Sequence, residues 1–276
     1  MEWSKIKTIV IWMLVITNLF LLGLVVQEEG KAQRLEREAL ENTVVFLNQR
    51  GIQLDADVVP DRMELVPQQA ERALEREQSL AEALVGGPVQ VDALGGQMYR
   101  YTGSNGTVQL HNDGSFSVQL GASARPRKGE EVERWAKALL AKLDFDGTLL
   151  ESSGNAQEGY AVLRQVWKRA PLLNHRVEVR WDEDGVRLTG RRLIGEPSAV
   201  KDQGGMTVPT ALMDAFTGLN RLGDVCSQIL HIQPSYVSLS TLHGSTMTLR
   251  PVWHITTDTG VYQLDTVSGQ LSRSAA

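Results

Sequence analysis

The chain has 276 residues, with one cysteine, five histidines and 6% aromatic residues. Each scarcity excludes something. Cys226 alone cannot close an intramolecular disulfide, so the folded part relies on a core of its own rather than on the cross-links usual in small secreted domains. In Val225-Cys226-Ser227-Gln228 the thiol reads as a small buried hydrophobe. His111, His175, His231, His243 and His254 are scattered, with no H-E-x-x-H pair and no cysteine at zinc-site spacing. His254 fits a half-exposed strand position. No nucleophile elbow, P-loop or dinucleotide-binding glycine pattern occurs. Asp182-Glu183-Asp184-Gly185 lacks the remainder of a calcium loop. These absences nominate no catalytic, cofactor-binding or metal-ligating residue, and the expectation is a protein that is not an enzyme. A formal net charge of -5 and no basic stripe along the chain argue against a nucleic-acid partner.

What the chain does have is a long apolar run near its start. Thr8 to Val26 (TIVIWMLVITNLFLLGLVV) carries no charge. About 20 such residues span a bilayer as a helix. Lys5 and Lys7 precede the run, while Glu28 and Glu29 follow it, which places the N-terminus inside and the rest outside the cytoplasm. A signal peptide has a shorter apolar region and a small-residue cleavage site, both missing here. The expectation is a single-pass signal-anchor in the cell membrane, with residues 1–7 cytoplasmic, 8–26 transmembrane and an extracytoplasmic C-terminal domain. On that helix Lys7, Ile11, Leu14, Asn18, Leu22 and Val25 share one face at spacings of three or four. Asn18 would lie within the hydrocarbon, where an amide needs a partner. These six residues are the candidate partner-binding stripe.

Past the anchor, residues 27–51 read as a juxtamembrane helix that ends at Gly51 and either continues the anchor or breaks near Gly30. Ile52 to Val66 reads as extended. A helix is expected from Gln68 to Leu84, ended by Gly86-Gly87-Pro88. Strands follow at Gln97 to Tyr101, Val108 to His111 and Ser115 to Leu120, the last two joined by Asn112-Asp113-Gly114. Ala124 to Gly129 marks a boundary between a first α+β unit, 52–124, and a second α+β region, 130–276. Glu130 to Leu143 is an amphipathic helix with Val132, Trp135, Ala136, Leu139, Leu140 and Leu143 on one side. Strands are expected over Tyr160 to Lys168, His175 to Asp182 and Gly185 to Ile194. A helix over Thr207 to Gly218, capped by Thr207 or Thr210, precedes strands to the end. The fold class is α+β, with a transmembrane helix followed by repeated units of one helix on an antiparallel sheet. Trp135, Trp167, Trp181 and Trp253 are read as core.

Some of these stretches carry a family resemblance. Met1-Glu2-Trp3-Ser4-Lys5-Ile6-Lys7-Thr8-Ile9, followed by Asn18-Leu19-Phe20-Leu21, resembles the opening of the YycI proteins of Gram-positive bacteria. Val45 to Ile52 resembles that family's helix ending in G-I. Leu249 to Thr257 and Gly260 to Asp265 resemble its closing hairpin, a feature shared with PepSY-like modules. The resemblance implies a PepSY-like or YycI-like fold and a regulatory role. Such proteins sit beside the WalK (YycG) sensor histidine kinase of a two-component system governing cell-wall metabolism, together with a related YycH protein. It implies no catalytic residue and no cofactor. The expected function is an accessory regulator of that kinase, acting through the anchor and the extracytoplasmic domain, as a monomer or weak dimer. The alternative is a PepSY-type inhibitor or chaperone of a secreted peptidase. A third, an anchored cell-wall hydrolase, would need an acid pair or metal site that the sequence does not offer.

Overall fold

The computed structural model describes residues 2–60, 65–200, 206–240 and 244–274. Within the first helix the side chains of 2–6, 8–9, 23–26, 28–30 and 32–33 lie outside this description, as does that of Ala56. The architecture is α+β.

Helix α1 (Glu2–Gln49) runs unbroken for 48 residues, straight through Gly30. At 1.5 Å per residue it is about 70 Å long. It ends at Gly51, whose φ of +85° is the left-handed conformation that glycine adopts without steric cost. The Ile52 amide closes the last turn on the Leu47 carbonyl at 3.0 Å. Among the described residues no helix is long and apolar enough to cross a membrane. In α1 the described side chains form an unbroken exposed band from Val10 to Leu22, and residues 23–26 of the apolar run fall outside them.

Two short strands come next, β1 (Gln53–Leu54) and β2 (Gln68–Glu71). The second corrects an expectation, because a helix was to begin at Gln68. Its Gln, Ala and Glu content favours helix, yet the segment pairs antiparallel with residues 246–249, and burial alternates along it. Tertiary pairing overrides local propensity here. The helix starts instead at Leu74.

From there the chain forms a helix followed by four strands three times. The first set is α2 (Leu74–Val85) with β3 (Gln90–Gly95), β4 (Met98–Gly103), β5 (Gly106–Leu110) and β6 (Ser115–Leu120). The second is α3 (Val132–Ala141) with β7 (Gly147–Gly154), β8 (Gly159–Trp167), β9 (Ala170–Asp182) and β10 (Gly185–Arg191). After a short β11 (Ser198–Ala199), α4 (Val208–Leu222) leads into β12 (Gln228–Ser240), β13 (Thr246–Thr257), β14 (Val261–Asp265) and β15 (Leu271–Arg273). Strands β3, β7 and β15 have no counterpart in the sequence reading, since they are polar or short.

The expected hairpin signals hold. Gly114 sits at φ +85° between β5 and β6, and Asp182 faces Gly185 across the β9–β10 turn. α2 ends at Gly86 in the left-handed conformation, its amide 2.9 Å from the Glu82 carbonyl. Thr207 occupies the N-cap position of α4, but its hydroxyl pairs with that of Thr210 at 2.9 Å instead of capping a backbone amide.

The first two sets join edge to edge. β6 and β10 pair antiparallel, Leu120 opposite Val186 through Ser115 opposite Arg191. The strand order β3-β4-β5-β6-β10-β9-β8-β7 follows. α2 and α3 cover the same face of this sheet and share one core with it, built on Tyr101, Phe116, Leu140, Leu163, Val179 and Trp181. Each such large apolar side chain, fully buried, contributes roughly 1.5–3 kcal/mol. Trp135 and Trp181 meet edge to face, 5.1 Å between centroids, and donate their indole hydrogens to the carbonyls of Ala124 and Asn155.

The third set makes its own layer. β12 and β13 pair along most of their length, β14 and β15 extend the sheet, and β2 with β11 lies against the start of β13. Its core takes Leu212, Trp253, Ile255 and Leu264, together with Leu47 from the last turns of α1. Phe46 and Phe216 meet at 5.9 Å, nearly perpendicular. The Asn48 amide bonds the backbone of Leu54 in both directions, which fixes the end of α1 to β1 and so to β12. One parallel pair, Tyr236 with Leu172, links this layer to the eight-stranded sheet, over a small core of Leu172, Tyr236, Met247 and Leu249.

Candidate functional site

The stripe proposed on the first helix lies along the part of α1 that projects from the folded body. Ile11, Leu14 and Leu22 are each more than half exposed, and Asn18 is exposed as well. Lys7 is exposed on the same helix, and the Val25 side chain lies outside the described residues. Among its described side chains the helix buries apolar groups only in its last turns, where Leu47 and, in part, Leu40 and Val44 enter the core beneath α4.

A second candidate was not foreseen. Between α2 and α3, at the end of the eight-stranded sheet, lies a cleft of about 770 Å³. Its walls come from five separate segments: α2, α3, the turn after α3, the β8–β9 hairpin and the chain leaving β10. Leu80, Phe145, Trp167 and Ile194 supply apolar surface, and four cationic and four anionic side chains line it.

Beneath the cleft lies a buried ionic cluster. The Glu77 carboxylate accepts two hydrogen bonds from Arg72, at 2.9 and 2.8 Å, and one from Arg192 at 3.4 Å. All three side chains are less than 5% exposed. Arg72 also donates to the carbonyls of Gln97 and Leu110, and Arg192 to that of Leu193. The cluster is therefore well satisfied, and loss of its single anion would strand two buried cations at a cost of about 3–5 kcal/mol. Burial holds the Arg192 guanidinium below the ordinary arginine value, with Glu77 opposing that shift. Burial, and then the Glu77 charge, push the neighbouring Tyr101 hydroxyl up to about 12.

Next to this cluster runs a polar chain that connects the two layers. His175 on β9 contacts the Gln165 side-chain oxygen at 2.8 Å through Nδ1 and the Ser238 hydroxyl of β12 at 2.7 Å through Nε2. Gln165 also accepts from the Leu193 amide at 3.0 Å and donates to the Asp144 carbonyl. Since an amide oxygen only accepts, neutral His175 carries its proton on Nδ1 and receives the serine hydrogen at Nε2. Burial first, then the Arg191 and Arg192 charges, lower its pKa to about 3. His175 is thus a satisfied core histidine. His254 is half-buried as expected, its pKa lowered by burial and then by Arg164 and His231.

The mouth of the cleft is charged. Arg76 of α2 reaches Asp144 after α3 at 2.6 Å, and that carboxylate holds the guanidinium pKa above its usual value. Lys168 lies 5.6 Å from the centroid of the Trp167 ring. At the hairpin tip Lys168 and Arg169 both have positive φ, +47° and +72°. That is the geometry of a two-residue turn usually made by Asn-Gly. The strand expected over Tyr160 to Lys168 thus ends in a turn that no glycine or asparagine marks in the sequence. Of the other tryptophans, Trp135, Trp181 and Trp253 are core, while Trp167 is partly exposed on the cleft wall. Cys226 is buried, with its thiol pKa raised first by burial. Among the described residues no group of three or more His, Cys, Asp or Glu side chains could hold a metal ion.

No family model and no curated protein matches the chain. Solved structures similar over most of its length include the following two. One is an uncharacterized protein from Eubacterium rectale ATCC 33656, 10% identical over 76% of this chain and 86% of that one, with a TM-score of 0.42. The other is the C-terminal domain of YpeB from Bacillus megaterium, 10% identical over 75% of this chain and 100% of that one, with a TM-score of 0.35. At these values neither match assigns a family or a function.

Proposed function

We propose that this chain is a membrane-anchored accessory regulator that acts by protein contact, with a sensor histidine kinase of the WalK type as its partner and a YycH-like protein beside it. The partner's identity follows from the sequence resemblance alone. The observation that carries the regulatory reading is the continuity of α1. One unbroken helix joins the exposed apolar band Val10–Leu22 to a docking site in the core of the third set, where Asn48 locks it to β1. A displacement at one end is transmitted to the other, because no flexible joint intervenes. A tether alone would be served equally well by a loose linker.

The test is a break that touches neither end. Arg34→Pro, at an exposed position of α1, removes a helical hydrogen bond at a cost of about 3 kcal/mol. It should leave membrane insertion and co-purification with the kinase intact while abolishing the effect on kinase output. Asn18→Leu should instead weaken co-purification. Wild-type kinase output from Arg34→Pro would sink the transmission reading.

The peptidase-inhibitor reading is favoured by a different observation. Among the described residues β3 and β7 form open edges of the eight-stranded sheet, and an open edge can take up a strand from another protein.

A further inference from the structure

We propose that the cleft between α2 and α3 binds a short peptide bearing both an acidic and a basic group, with its apolar side chains laid along the floor. This site is separate from α1, so its failure would leave the regulatory reading untouched.

The argument begins with volume and lining. About 770 Å³ is within the range of sites that enclose a small ligand. Leu80, Phe145, Trp167 and Ile194 offer apolar contact along the cleft. Charge then narrows the class. A polyanion such as nucleic acid wants a basic groove, whereas here cations and anions are equal in number. A lipid chain wants an uncharged tunnel, and eight ionisable side chains line this one. The remaining class has both signs of charge and apolar groups together, which describes a peptide.

The charges are also sorted in space. On the buried side Arg192 and Glu77 line the cleft as a pair and neutralise each other. Lys168 adds a cation at the hairpin tip, held in no ion pair among the described residues. Asp146 and Glu196 line the same cleft and likewise form no ion pair among the described residues. A peptide carboxylate suits Lys168, and a peptide ammonium or basic side chain suits Asp146 and Glu196.

Two further features point to the same wall. The Trp167 indole N–H is buried with no acceptor among the described residues, a defect that native structures rarely carry without reason. A small turn of the ring toward the cleft would let a peptide carbonyl accept it. The adjoining tip keeps two long basic residues in left-handed backbone, where Asn-Gly would sit without strain. Strain of that kind persists where the side chains are wanted.

The experiment uses the full chain in detergent micelles and a library of hexapeptides, Lys and Glu at every pair of positions in an Ala/Leu background. Binding is read by calorimetry and by tryptophan fluorescence. Some members should bind, and replacing both charged residues by Gln should weaken them at least tenfold. Lys168→Glu should weaken the same peptides about tenfold. Ala138→Trp, which fills the cleft from an exposed position on α3, should abolish binding, with an unchanged circular dichroism spectrum confirming the fold. No binding from any member of the library overturns the proposal. So does equal binding by the Gln analogues, unaltered binding in Ala138→Trp, or stronger binding of polyphosphate or dodecanoate than of the peptides.

Discussion

His175 is neutral because of where it lies, and that has a consequence for stability. Its folded pKa, about 3, is well below the ordinary 6.5. Below pH 6.5 the unfolded chain takes up a proton that the folded chain refuses, so unfolding gains on folding as the solution is acidified. The contribution is complete above 6.5 and declines toward pH 3 by ~1.4 kcal/mol for each pH unit. Unfolding free energies from urea titrations near pH 7 and pH 5 should differ more for the native chain than for His175→Gln, by about 2 kcal/mol. Equal pH dependence in the two would place the histidine in contact with water. The cluster around Glu77 illustrates why such residues escape a sequence reading. In Leu74-Glu75-Arg76-Glu77-Gln78 it looks like part of a solvated helix face. One of its partners, Arg192, is 115 residues away, and only the assembled sheet brings them together.

At the level of elements, the β8–β9 hairpin invites a direct measurement. Replacing Arg169 by Gly frees a left-handed position that costs a residue with a Cβ roughly 1–2 kcal/mol, and Lys168→Asn sets beside it a residue that adopts this backbone more readily. The double variant should therefore be more stable to urea, by about 1–2 kcal/mol in all, while losing a cation from the cleft. A destabilised variant would mean that the basic side chains support the fold itself. Much of the element order was readable in advance where the chemistry is local. Asn112-Asp113-Gly114 and Asp182 to Gly185 make turns by themselves, and the stripe from Val132 to Leu140 declares its buried face. β2 was not readable, since its strand character depends on pairing with β13. The cleft was not readable either, because its five segments are distributed between Ala73 and Glu196 with no shared pattern.

For the whole molecule, the first two helix-and-strand sets share one core, the third has another, and a small core joins the layers; none of these draws on the exposed part of α1. Residues 34–276 expressed alone should be soluble and monomeric or weakly dimeric, with a mixed helix and strand circular dichroism spectrum. Aggregation or a disordered spectrum would show that the upper part of α1 supports the fold. The seating of α1 also orders events in time. Its last turns, Leu40, Val44 and Leu47, share one core with α4, β12, β13 and β14, all of which lie at the far end of the chain. A ribosome adding about 5–20 residues per second needs on the order of 10–40 s to pass from Gln49 to Asp265. During that interval the helix is made and its partners are not. The foot of α1 therefore waits with its apolar side uncovered, and whatever holds it meanwhile must release it before the last strands close.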